Sequence, residues 1–182
     1  MILMLALAAL SSVSGFPTDP GLCIPIASDH FKPTTSDVQD HASLRKALSE
    51  PFPQNKKMVM LHGTGGHLSK DEYSIVVTRA DDGVWHGTAV GRSQIAIQDA
   101  PFTPMKRKEW ALDKQSGLSL DKAISQKCPF NRAAHDSSTT GAPPLGYISE
   151  KIDVVTSGQP TYSFYVGEGG TKIADLIRPP TH

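Results

Sequence analysis

The sequence predicts an α+β domain: a twisted antiparallel sheet of about seven short hairpin-connected strands, with two short helices packed on one side. Three observations predict it. Tyr73 to Thr78 alternates β-branched and aromatic residues with polar ones, and Val84 to Val90 repeats the pattern after Ala80-Asp81-Asp82-Gly83. An Asp-Gly pair between two extended runs marks a hairpin, because a tight primed turn needs positive φ, which Gly accepts freely and Asp tolerates. Near the C-terminus Tyr147 to Val155, the turn Thr156 to Gln159, and Thr161 to Val166 form a second meander. Two other stretches carry helix signals. Sequential hairpins make antiparallel sheets.

The chain has 182 residues, 38% hydrophobic and 20% charged, the composition of a folded soluble domain. Eighteen basic residues balance eighteen acidic ones. That balance excludes a phosphate-tracking nucleic-acid binder, which needs a basic surface. Lys106-Arg107-Lys108, followed at once by Glu109, reads as a solvated turn. Residues 1–15 begin with the apolar run MILMLALAAL and continue with small residues. The run is too short to span a membrane, which takes about 20 residues, and has the length of a signal-peptide core. It predicts an exported, periplasmic or extracellular protein with no membrane span in the mature chain, although no Lys or Arg precedes the run.

Two cysteines, Cys23 and Cys128, have one pairing available. In an exported protein an even count reads as a disulfide. Closing a loop of about 100 residues would contribute about 4–5 kcal/mol by chain entropy.

Residues 16–35 hold Pro17, Pro20, Gly21, Pro25 and Pro33 and read as an irregular arm; residues 36–182 read as the folded domain. Ser36 with Gln39 makes a capping box, Leu44 and Leu48 give the helix an apolar side, and Pro51 and Pro53 stop it, so a helix is expected over 37–49. Met58 to Leu61 is a strand, broken at His62-Gly63-Thr64-Gly65-Gly66-His67. After the Asp-Gly hairpin, Ile95 and Ile97 alternate with polar residues as a further strand, and Lys108 to Asp113 is another. Ser119 caps a second helix carrying Leu120, Ala123, Ile124 and Cys128, ended by Pro129. Residues 129–144 form a long polar loop. Ile173, Leu176 and Ile177 fit a short helix, but the glycine turn before Lys172 favours a returning strand.

The glycine-histidine stretch His62 to His67 is the foremost candidate for chemistry. It resembles the histidine-glycine loop that supplies an oxyanion-hole N–H in lipases and esterases, where glycines let backbone donors approach a developing oxyanion. No Gly-x-Ser-x-Gly elbow follows it. It lacks the third glycine of a dinucleotide fingerprint and the Gly-Lys-Ser/Thr of a phosphate loop. His62, His67 and His86, with Asp71 or Glu72, are a zinc-compatible set without a regular ligand spacing. Cys128 at a helix C-terminus lacks the dipole that activates a thiol. Asp81 and Asp82 are turn residues.

Trp85 shares a side of its strand with Gly87, Ala89 and Gly91. Facing outward it would leave a shelf for a flat ligand; facing inward, the small residues make room for a covering helix, the commoner use of a strand tryptophan. The expectation is a binding or interaction domain for a small molecule or protein, through His62, His67, Trp85 and His86, with no catalytic residues, cofactor or metal assigned. The alternative is a hydrolase or metal-dependent enzyme built on the His62–His67 loop.

Overall fold

The computed structural model describes residues 37–125, 146–157, 162–166 and 171–180. In chain order the elements are α1 (Asp37–Ala47), β1 (Lys57–Gly65), β2 (Ser69–Arg79), β3 (Trp85–Ile95), β4 (Thr103–Pro104), β5 (Lys108–Ala111), α2 (Lys114–Ser125), β6 (Ile148–Thr156), β7 (Tyr162–Tyr165) and α3 (Thr171–Ile177). The fold is α+β. All strands join one antiparallel sheet in the order β4-β3-β2-β1-β6-β7, with β5 also on β3. The β1–β6 pairing joins strands far apart in sequence, so the sheet is not a simple succession of hairpins.

The β2–β3 hairpin is the longest pairing of the sheet, running in register from Ser69 opposite Ile95 to Arg79 opposite Trp85. Its turn is wider than a two-residue primed turn. Gly83 N donates to Ala80 O at 3.0 Å and Ala80 N to Val84 O at 2.9 Å, and Gly83 has φ +82°. This is a three-residue loop with glycine in the left-handed position. Asp82 keeps negative φ and accepts from Val84 N at 2.8 Å.

Strand alternation sorts side chains to two faces. Val59, Leu61, Ile75, Val77, Trp85, Ile152 and Val154 point to one face and meet Leu120 and Ile124 of α2 and Ile173, Ala174 and Ile177 of α3. Met58, Met60 and Val76 point to the other and meet Val38, Phe52 and Val155. There α1 lies on the sheet through His41, Leu44 and Arg45. Helices therefore cover both faces, correcting the one-sided arrangement.

Four further corrections have local causes. The stretch His62 to Gly65 is strand, not loop: Gly63 and Gly65 pair with Tyr73 and Asp71 on one side and Glu150 and Ile148 on the other. Gly63 is needed there because a Cβ would lie 2.2 Å from the Tyr73 ring. Ile95 ends β3, and Ala96 to Asp99 turn away from it. Asp113, not Ser119, caps α2, accepting from Ser116 N at 2.9 Å and Ser116 Oγ at 2.6 Å. Thr171–Ile177 is helix, because Ile173, Ala174 and Ile177 at helical spacing are all buried against the apolar face.

The disulfide is not carried forward. The described residues contain no cysteine, free or bridged, and Cys23 and Cys128 both lie outside them. The signal-peptide, secreted and periplasmic reading, from which the bridge was inferred, rests on residues 1–15, also outside the described residues, and nothing in the described residues supports it. No helix among the described residues is long and apolar enough to cross a membrane.

Candidate functional site

The chemistry-bearing residues gather under α1. On that face β2 presents Ser74, β6 presents Asp153 and β1 presents His62, beside the apolar Met60 and Val76. Helical spacing brings His41 and Arg45, one turn apart, down onto them. His41 and Ser74 are 0% exposed, Asp153 1% and Arg45 2%.

The buried groups form a directed chain. Arg45 Nε donates to Ser74 Oγ at 3.1 Å, and Ser74 Oγ lies 2.8 Å from His41 Nδ1. His41 Nε2 faces Asp153 Oδ2 at 3.3 Å, long for an N–H···O bond, and neither atom has a closer partner. An ionised carboxylate only accepts, so the proton belongs on Nε2 and the Ser74 hydroxyl donates to Nδ1; this tautomer is assigned from the partners. Ser163 Oγ completes the chain on Asp153 Oδ1. Arg45 also reaches Thr88 O and Thr88 Oγ1, both at 3.1 Å, so one helical residue ties two strands.

Burial pushes His41 below its ordinary value, against the opposing pull of Asp153. Burial likewise lowers Arg45 to about 10, still charged at neutral pH. The chain thus runs from a fixed cation to a carboxylate through two neutral groups, and its charges compensate across the helix–sheet junction.

Beside α1 the same face opens toward solvent. The half-buried His62 has its ring centroid 5.5 Å from that of His41, edge to face, and its Nε2 lies 3.4 Å from Glu72 Oε1. Arg92 binds Glu72 Oε2 through Nη2 at 2.6 Å and Nε at 2.8 Å. Its guanidinium stacks 4.1 Å from the Phe102 ring centroid. These charges satisfy one another.

The four residues singled out from sequence do not converge. His62 belongs to this cluster. His67 is exposed in the β1–β2 turn, its Cβ near Gly146. Trp85 is 1% exposed and packs toward α2, where a Cβ on Gly117 would lie 3.3 Å from its ring. Gly87, next on that face, makes room for the Trp110 ring, not for a helix: a Cβ there would lie 2.2 Å from it. His86 is exposed and lines a shallow concavity of about 360 Å³ with Thr88, Glu109 and Trp110. No group of three or more His, Cys, Asp or Glu among the described residues is placed to hold a metal ion.

On the opposite face Tyr73, lying over Gly63, donates its hydroxyl to Glu150, which Arg178 clamps at 2.7 and 2.6 Å. Burial and then Glu150 push the Tyr73 hydroxyl well above its ordinary value. The phenol stays protonated, a brace between β2, β6 and the end of α3.

Ser74, His41 and Asp153 stand in the order of a nucleophile, base and acid, but chemistry needs access. Ser74 is in mid-strand, and its hydroxyl is engaged by Arg45 and His41. Sequence reasoning missed these residues. One signal for them is in the sequence: His41 and Arg45 fall on the stripe set by Leu44 and Leu48, where a polar residue is informative.

The fold and this site define a small α+β domain without an open catalytic or metal cluster among its described residues. No protein family, curated protein or solved structure matches the chain.

Proposed function

We propose that the domain is a binding or interaction module that meets a protein partner at the far end of the β2–β3 hairpin. The supporting observation is a gathering of exposed apolar side chains there. Leu68 is 78% exposed, Ile97 66% and Ile95 57%. The backbone brings these three together: Ala96 N donates to Leu68 O at 2.9 Å. A gathering of exposed apolar side chains of this kind marks interaction sites. Leu68 and Ile97 are carried on turns, and exposed side chains on turns suit a protein surface better than a small molecule, whose sites are concave.

The rival reading is a hydrolase, and the buried Ser74 weighs against it. Two measurements separate them. A photo-crosslinking residue at Ile97 is expected to capture a discrete partner that the same residue at Asp81, at the opposite end of the hairpin, does not. Equal capture at both, or none, removes the patch from the proposal. A fluorophosphonate probe is expected to leave Ser74 unlabelled; labelling there, with ester turnover, replaces the module by an enzyme.

A further inference from the structure

Of the three helices among the described residues, α1 has the least apolar anchorage. Leu44 is its one fully buried apolar side chain, whereas α2 and α3 bury Leu120, Ile124, Ile173, Ala174 and Ile177. Val38 adds a partly buried contact with Met58, Met60 and Val76. The fully buried polar groups that hold α1 are His41 and Arg45, and of these His41 is the one that changes charge near neutral pH.

Every element packed around His41 bears on its charge. Asp153 of β6 faces it at 3.3 Å and favours the cation. Arg45, one turn along α1, and His62 of β1 disfavour it. Glu72 of β2 stands behind His62 at 3.4 Å but is already bound by Arg92 of β3. Ser74 of β2 gives Nδ1 its proton donor at 2.8 Å. A protonated Nδ1 would turn that contact around: Ser74 Oγ would receive N–H groups from both His41 and Arg45, and its own proton would need a new acceptor.

We propose that His41 is an acid-sensitive latch: its protonation releases α1 from the sheet and uncovers Ser74, Met60 and Val76, while α2 and α3 stay docked. The direction follows from linkage. His41 is held below 6.5 in the folded protein and regains that ordinary value when α1 is undocked. Docking is therefore fully stable above about pH 6.5 and weakens as pH falls from there toward the folded-state value. A single proton limits the change to about tenfold per pH unit. Ordinary carboxylates titrate at about 4, so a window down to pH 5 reports on histidines, and the variants below tell His41 from its neighbour His62.

Amide hydrogen exchange of the full chain, corrected for intrinsic rates, tests this between pH 7.5 and 5.0. Protection of residues 41–47 is expected to fall at least about fivefold, while that of Ile173–Ile177 and β1 holds within about twofold. Parallel loss in α1 and α3, or a flat α1, overturns the latch. His41→Gln removes the titration; α1 protection in that variant is expected to be independent of pH, whatever its level. His62→Gln is expected to keep the pH dependence. A pH dependence that survives His41→Gln, or disappears with His62→Gln, also overturns it.

Discussion

On one face of the sheet, α2 and α3 set Leu120, Ile124, Ile173 and Ile177 against Val59, Leu61, Val77 and Ile152. On the other, α1 sets His41 and Arg45 against Ser74, Thr88 and Asp153. The first junction is non-directional, and its stabilisation scales with apolar area removed from water, about 25 cal/mol per Å². The second is directional: each donor must meet its acceptor, and the buried charges must stay compensated. The apolar junction supplies stability that is insensitive to pH. The polar junction fixes where a short helix sits and makes its docking depend on protonation.

The comparison breaks most visibly at Trp85, the largest fully buried side chain. Trp85→Ala leaves a cavity between β3 and α2 that the sheet cannot close. Its expected cost is about 3–5 kcal/mol in urea unfolding, independent of pH between 5 and 7.5. A loss below about 1 kcal/mol would mean that the apolar face does not carry the stability assigned to it here.

Next comes Arg45→Ala. It removes the donor to Ser74 Oγ and Thr88 Oγ1, and it leaves Asp153 without the cation at the other end of the chain. Leaving buried acceptors and a buried charge uncompensated is expected to cost about 2–4 kcal/mol. The loss is expected to appear first as weakened amide protection in α1, with α3 less affected. Equal loss in both helices would make the two faces one cooperative unit and erase the contrast.

The apolar face was legible in the sequence and the polar face was not. Alternation in Tyr73 to Thr78 and in Tyr147 to Val155 reports a strand directly, since one side of each must be buried. The glycines of His62 to Gly65 misled because glycine marks both turns and places where another side chain crowds the backbone. Gly63 is of the second kind, with Tyr73 over it, and nothing local distinguishes the two. Thr171–Ile177 was misassigned because seven residues show barely two turns of periodicity. Ser74 and Asp153 were invisible for a different reason: a serine and an aspartate in strands read as solvent-facing. Only the arrival of α1, a non-local event, buries them.

The smallest effect sharpens the contrast by separating the two junctions along the pH axis. Asp113 caps α2 from the solvent, and its carboxyl is held below its ordinary value, first by the Ser116 hydroxyl and then by the Ser116 amide. A depressed carboxyl contributes stability above its unfolded value of 3.8 and loses it as pH falls below that, the opposite end of the acid range from His41. Asp113→Ala is expected to lower Tm by only a few degrees at pH 7, because Leu120 and Ile124 still hold α2 to the core. The difference is expected to shrink as pH falls below 3.8 toward the folded-state value, as the wild-type cap takes up its proton. Calorimetry on the two proteins at pH 7 and through that fall reads this. If Asp113→Ala instead reproduced the loss of α1 protection between pH 7.5 and 5.0, the acid response would belong to the whole fold and not to the helix held by His41.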